Sequence, residues 1–237
     1  MFDILIFAAG RGSRMGALTD SIAKPALIHD GEALVSRIVN QVAAIKGGGE
    51  IFINCSYKAF SIVDVLRSFK NTERLTFLWE QEIMGTAWSL LQVNRRCNRD
   101  ILAIHGDLSF APDGMNLFVS EAINEIGFSS VAVHQRSIKS ARSEIRFDPA
   151  SRIVLETQEK SSVAEDMSVL QSDELVWSNS GIYYFRTDHL KEIDIEQRRF
   201  FDVPKSILLD LELKSLLKAQ IFKGARISLE RPEQLKP

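Results

Sequence analysis

Four short apolar runs, each followed by a segment of helical spacing or by a glycine-containing turn, constrain this chain more than any other feature. Ile4-Leu5-Ile6-Phe7 is uninterrupted and ends close to Gly10, the pattern of a strand buried on both faces. Leu34, Val35, Ile38, Val39, Val42 and Ile45 then recur at helical spacing, and Gly47-Gly48-Gly49 is expected to end that helix. Ile51-Phe52-Ile53 and the segments 75–79 and 101–105 repeat the strand signal. Ile62, Val63, Leu66 and Phe69, and later the segment 87–93, repeat the helical one. Strands that alternate with helices are joined by crossovers, so neighbouring strands run parallel and helices cover both faces of the sheet.

From about residue 128 strand-like runs dominate, at 130–134, 144–147, 153–156 and 182–185. The stretch 161–173 between them is polar and reads as loop. A helix fits 203–217, with short strands at 220–222 and 227–229. The expected class is α/β: one unit over 1–237, built on a Rossmann-like, mixed but mostly parallel central sheet flanked by helices. An N-terminal half covers about 1–127, and a more β-rich half covers about 128–237.

Composition narrows the function. With 237 residues, 45% of them hydrophobic, the chain can bury a sizeable core. Its formal net charge of -2 provides no basic face for nucleic acid, so any nucleotide site must be local. Cys55 and Cys97 stand in neither a CxxC nor a metal-type spacing and read as reduced thiols of an intracellular protein. The four histidines form no ligand pattern. The apolar start of the chain contains Asp3, lacks a basic lead and is too short for a signal peptide or a membrane span. A soluble, cytoplasmic protein with no membrane partner is expected.

The chemistry begins directly after the first strand, at Ala8-Ala9-Gly10-Arg11-Gly12-Ser13-Arg14-Met15-Gly16. Small residues there let backbone N–H groups approach phosphate oxygens, and the two arginines add positive charge. A Walker loop is excluded, because it needs Gly-Lys-Ser/Thr. A dinucleotide fingerprint fits no better: Met15 stands where a third small residue belongs, and Asn54-Cys55 where an acid belongs. Further along come Leu18-Thr19 and Lys24-Pro25, then Gln81-Glu82-Ile83-Met84-Gly85-Thr86-Ala87. His105-Gly106-Asp107 ends the fourth strand, and an acid at the carboxyl end of a parallel strand faces the crevice where ligands bind. Glu159-Lys160 and Asn179-Ser180-Gly181-Ile182-Tyr183 follow late in the chain.

In this order and spacing, the set resembles the sugar-phosphate nucleotidyltransferases, the nucleoside-diphosphate-sugar pyrophosphorylases, over nearly the whole chain. The resemblance implies that Ala8, Ala9, Gly10 and Gly12 wrap the triphosphate of an NTP, that Arg14 assists pyrophosphate departure, and that Lys24 contacts phosphate. It implies that Gln81, Gly85 and Thr86 belong to the segment that reads the nucleobase, and that Asp107 binds Mg²⁺. It implies, too, that Asp107, Glu159, Lys160, Asn179 and Gly181 serve a phosphorylated small-molecule acceptor. The expected reaction is transfer of NMP to a sugar 1-phosphate, with pyrophosphate released and an NDP-sugar formed. The N-terminal half would bind the nucleotide and the C-terminal half the acceptor.

One position departs from the family pattern. Aligned on Pro232-Glu233, the aspartate that supplies a second Mg²⁺ ligand falls at Ser228, and a hydroxyl is a poor Mg²⁺ ligand beside a carboxylate. Glu230, two residues on, would share a strand face with it and is the candidate replacement. Two alternatives therefore stay open beside sugar activation. One is a cytidylyltransferase acting on a non-sugar phosphate or phosphonate such as phosphocholine. The other is a catalytically weakened nucleotide-binding homologue.

Overall fold

A computed structural model of the chain describes residues 1–159, 174–193, 202–228 and 232. Two faces of one sheet organise them. In β1 (Phe2–Phe7), Phe2, Ile4 and Ile6 face one core, while Leu5 and Phe7 face the other, which is why the run carries no polar alternation. The pattern repeats in β4 (Gly48–Cys55), where Ile51, Ile53 and Cys55 lie on the first face and Phe52 on the second. It repeats again in β6 (Asp100–His105), with Leu102 and Ile104 opposed to Ile101 and Ala103.

Between these strands stand a two-residue pair, β2 (Ile28–His29) and β3 (Glu32–Ala33), the helices α1 (Leu34–Ala43) and α2 (Ala59–Leu66), strand β5 (Leu75–Trp79) and helix α3 (Thr86–Arg96). Helices α1 and α2 cover the first face and α3 the second. After β6 come β7 (Leu108–Phe110), α4 (Pro112–Asn124), β8 (Ser129–Ser137), the hairpin β9 (Ser143–Phe147) and β10 (Val154–Glu159), and β11 (Leu175–Phe185). Helix α5 (Thr187–Lys191) follows. A π-helical turn, Pro204–Leu208, then runs into α6 (Leu209–Leu213), and β12 (Leu217–Ile221) and β13 (Arg226–Ser228) complete the described chain.

Among the described residues, seven strands form the central sheet in the order β12-β8-β11-β6-β1-β4-β5. Only β11 is antiparallel to its neighbours, β6 and β8. The sheet is thus mixed and mostly parallel, and strands from both halves of the sequence join it. From β1 the chain builds outward through β4 to β5, then returns to place β6 on the other side of β1. That reversal opens a crevice beyond the carboxyl ends of β1 and β6, the place where open α/β sheets bind ligands.

The structure redraws several expected boundaries. Gly48 and Gly49 belong to β4 rather than to a helix stop. Helix α4 was not anticipated, although Met115, Phe118, Val119 and Ala122 recur on one buried face. Strand β11 starts at Leu175, well before the apolar run at 182–185: Leu175-Val176-Trp177 is itself an apolar run, and cross-strand pairing to β8 carries the strand on through Ser178 and Asn179. The helix expected over 203–217 ends at Leu213; Ser215 takes a left-handed conformation, φ 53°, and β12 begins two residues later. No helix among the described residues is long and apolar enough to cross a membrane.

Candidate active site

Beyond β1 the chain passes through Ala8, Ala9 and Gly10 and turns at Gly12, where φ is 65°. A Cβ at Gly12 would also lie 2.8 Å from the Cβ of Lys24, so conformation and packing both demand glycine. Short 3₁₀ turns over Ser13–Thr19 follow instead of an α-helix. Buried Met15 anchors them, and the Thr19 hydroxyl donates to the carbonyls of Gly12 and Gly16 at 3.3 and 3.2 Å. Another 3₁₀ turn, Lys24–Ala26, has Pro25 where no N–H is needed and presents Lys24 to the loop.

Asn54, at the end of β4, organises the loop from beneath. Its side-chain carbonyl accepts the amides of Ala8 and Ala9 at 2.5 and 3.2 Å, and its amide donates to Glu80 Oε1 and Ser89 Oγ, both at 2.9 Å. Ser89 Oγ in turn donates to Glu80 Oε1 at 2.5 Å. The amides of Ala8 and Ala9 are therefore already engaged, and Gly10, Gly12, Ser13 and Arg14 form the rest of the loop's cavity wall.

Across the crevice Lys24 Nζ donates to Asp107 Oδ2 at 2.6 Å. Burial pushes the Asp107 carboxyl up, but Lys24, His105 and Arg226 together outweigh it and hold the group below its ordinary value. Asp107 is an anion that keeps 26% of its side-chain surface open. Beside it, burial lowers the His105 imidazole, with Arg226 and Lys24 acting in the same direction against Asp107 and Asp202. His105 Nε2 is buried without a hydrogen-bond partner.

These groups line one cavity of about 340 Å³, together with Gly12, Ser13, Arg14, Gly85, Thr86 and Asp202. Of the residues expected from the sequence, Ala8, Ala9, Gly10, Gly12, Arg14, Lys24, Gly85, Thr86 and Asp107 converge there. Gln81 does not; it lines a neighbouring cleft with Arg11, Tyr57 and Lys58. The amide and hydroxyl of Thr86 both donate to Asp202 Oδ1 at 3.1 Å, so the start of α3 is capped by a residue 116 positions away. Asn179 is spent on its own strand: it donates to the Tyr183 hydroxyl at 2.9 Å and accepts the Gly181 amide at 2.8 Å. Gly181, at φ 72°, lies against His105, where a Cβ would stand 3.2 Å from the ring. Glu159 ends β10, outside the residues that line the cavity. Lys160 and Glu230 lie outside the described residues.

Sequence reasoning missed Asn54, Glu80 and Asp202. For the first two a signal existed, since Asn54 stands one residue before the end of β4 and Glu80 directly follows β5, close to the carboxyl ends of parallel strands as Asp107 is. Asp202 had none.

Pairing of β13 with β7 sets Ser228 opposite Leu108, next to Asp107. The position that departs from the family pattern is thus adjacent to the candidate metal ligand. Among the described residues no three His, Cys, Asp or Glu side chains cluster as a metal cage. An open carboxylate facing the glycine-rich loop still suits Mg²⁺, which commonly binds through one or two carboxylates plus substrate phosphates and water.

Comparison with known proteins agrees with this geometry. The model of a family described as nucleotidyl transferase matches residues 4–214. The bifunctional protein GlmU of Methanococcus aeolicus is 24% identical over 226 residues, covering 95% of this chain and 49% of its own length. The chain therefore spans about half the length of this curated relative. Among solved structures, a Bacillus anthracis protein described as a glucose-1-phosphate thymidylyltransferase, in complex with a sucrose, superposes with a TM-score of 0.82 at 18% identity, covering 99% of this chain and 92% of the other. HddC from Yersinia pseudotuberculosis, complexed with GMP-PN, gives 0.75 at 19% identity, covering 99% and 96%. At these identities the structural likeness concerns the fold.

Proposed function

The chain belongs to the nucleotidyl transferase family, and from that premise we propose that it transfers NMP from an NTP to a sugar 1-phosphate, releasing pyrophosphate and forming an NDP-sugar. One observation carries the reading. The glycine-rich loop with Arg14, the Lys24–Asp107 pair and the end of β6 meet in a single cavity at the point where the strand order reverses.

In this reaction an acceptor phosphate oxygen bonds to the α-phosphorus as the bond to the pyrophosphate oxygen breaks, with the two oxygens in line. The protein's part is positioning and charge neutralisation. Gly10 to Arg14 are placed to hold the triphosphate, and Arg14 and Lys24 to offset the charge that grows on the departing pyrophosphate. The Lys24–Asp107 contact fixes the lysine before substrate arrives. Asp107 is the group that would hold Mg²⁺, which when bound supplies a counter-charge to phosphate oxygens. For the acceptor we assign the His105 side of the cavity, with Gly181, which packs against that ring, Glu159 and Lys160 as further members. An NTP and a phosphorylated small molecule are then the partners, in the cytoplasm.

Pyrophosphate release tests the proposal, using GTP, ATP, CTP, UTP and dTTP each with several sugar 1-phosphates and with phosphocholine. Release that depends on a sugar 1-phosphate supports it. Release with phosphocholine alone replaces the sugar by another acceptor, and no release with any pair overturns the transfer reading.

A further inference from the structure

Glu80 has one carboxylate oxygen whose situation the packing does not explain. The residue lines the cavity at the end of β5 and is only 6% exposed. Oε1 is saturated, accepting from Asn54 Nδ2 at 2.9 Å and Ser89 Oγ at 2.5 Å. Oε2 is buried with no hydrogen-bond partner. A glutamine would support Asn54 and Ser89 through its single carbonyl equally well, so the anchoring role leaves the second oxygen unused. A buried acceptor without a donor is unfavourable, and because Glu80 lines the cavity, donors on a bound ligand are the groups that can relieve it while Oε1 keeps its two partners.

We propose that Glu80 selects the nucleobase, and that the base is guanine; the inference rests on the nucleotidyl transfer proposed above. Nearby donors are already committed: the Ala8 and Ala9 amides to Asn54, and the Thr86 amide and hydroxyl to Asp202. What this end of the cavity offers is an acceptor with two open lone pairs. Guanine presents two adjacent donors, the ring N1–H and the exocyclic amino group. Uracil and thymine present one N–H flanked by two carbonyls, which a carboxylate repels. In adenine and cytosine the amino group stands beside a bare ring nitrogen, which is repelled in the same way. A buried acceptor matched to a donor pair discriminates strongly against bases that lack it.

Equilibrium binding of GTP, ITP, ATP, CTP and UTP to the natural chain and to Glu80→Gln tests this assignment. ITP keeps N1–H and lacks the amino group. The natural chain should bind GTP at least about tenfold more tightly than ATP, CTP or UTP, and ITP measurably less tightly than GTP. Glu80→Gln should lose at least about tenfold in GTP affinity while UTP changes by less than about threefold. Equal binding of GTP and UTP overturns the assignment, as does a variant that weakens all nucleotides alike, the mark of a structural role. If the variant does not fold, the comparison of GTP with ITP on the natural chain decides, and equal affinities overturn the proposal. Guanine preference without pyrophosphate release keeps the assignment and removes the transfer reading. Release without base preference does the reverse.

Discussion

Lys24 and Asp107 are 83 residues apart in sequence, and their side chains meet at 2.6 Å in the cavity wall. The contact joins the loop after β1 to the end of β6 and holds one charge of each sign beside the place assigned to the triphosphate. Both members are partly covered, with 12% and 26% of their side-chain surfaces open, so the pair is less screened than a surface ion pair.

Lys24→Ala and Arg14→Ala should each lower the rate of pyrophosphate release at least about tenfold, or ~1.4 kcal/mol of transition-state stabilisation. Steady-state kinetics with saturating NTP and acceptor checks this, alongside thermal melts to confirm folding. Near-natural rates in both variants would remove the phosphate-loop reading.

Ser228 pairs with Leu108, the residue that follows Asp107, through the pairing of β13 with β7. Ser228→Asp should place a second carboxylate there and lower the Mg²⁺ concentration that gives half-maximal rate, whereas Asp107→Asn should abolish most metal-dependent turnover. A Mg²⁺ titration of the natural chain and both variants compares them. An unchanged Mg²⁺ requirement in Ser228→Asp, or full activity in Asp107→Asn, would refute this account of the metal site.

Asn54 satisfies two loop amides and two side-chain acceptors at once. Asn54→Ala leaves the amides of Ala8 and Ala9 without their acceptor, at a cost of roughly 1–3 kcal/mol for each buried group left unpaired. Urea unfolding should show a clearly lower midpoint, and nucleotide affinity should fall with it because the loop loses its support. A midpoint equal to that of the natural chain would mean that other groups hold the loop.

The fourth expectation concerns acid. Burial pushes His134 down from 6.5 to about 4, with Arg226 and Arg136 acting in the same sense. Its Nε2 accepts from Arg226 Nη1 at 3.4 Å, so the neutral ring carries its proton on Nδ1 and donates it to Ser180 Oγ at 2.9 Å. The folded-state value lies below the unfolded one, so this contribution is complete above pH 6.5 and is lost as pH falls towards about 4. Over that window the unfolded chain takes up a proton that the folded chain resists. Urea midpoints at about pH 7.5 and about pH 5 should differ less for His134→Gln than for the natural chain. An equal drop in both would assign the acid sensitivity to other groups.

Much of the fold was legible in local pattern. Phe2, Ile4 and Ile6 against Leu5 and Phe7 describe a strand with two buried faces, and a purely local count of apolar residues finds it. The loop from Ala8 to Arg14 was legible for the same reason, since small residues and glycine encode backbone conformation where they stand. The extent of β11 was not legible, because the polar residues Ser178 to Ser180 separate Leu175-Val176-Trp177 from the run at 182–185, and pairing to β8 makes Leu175 to Asn179 part of one strand.

Sequence alone therefore indicated the alternation of strands and helices through the first half of the chain, the glycine-containing turn after β1, and the position of Asp107 just beyond a strand that ends at a crevice. Tertiary structure decided what those groups do to one another. It gave the Ala8 and Ala9 amides to Asn54 and the head of α3 to Asp202, and it paired Ser228 with Leu108, the residue that follows Asp107. It also left Glu80 with one buried oxygen unpaired. The reason is physical. Secondary structure follows from periodicity within a few residues, whereas the occupancy of a donor or acceptor depends on groups brought within about 3 Å by the folded chain from anywhere in the sequence.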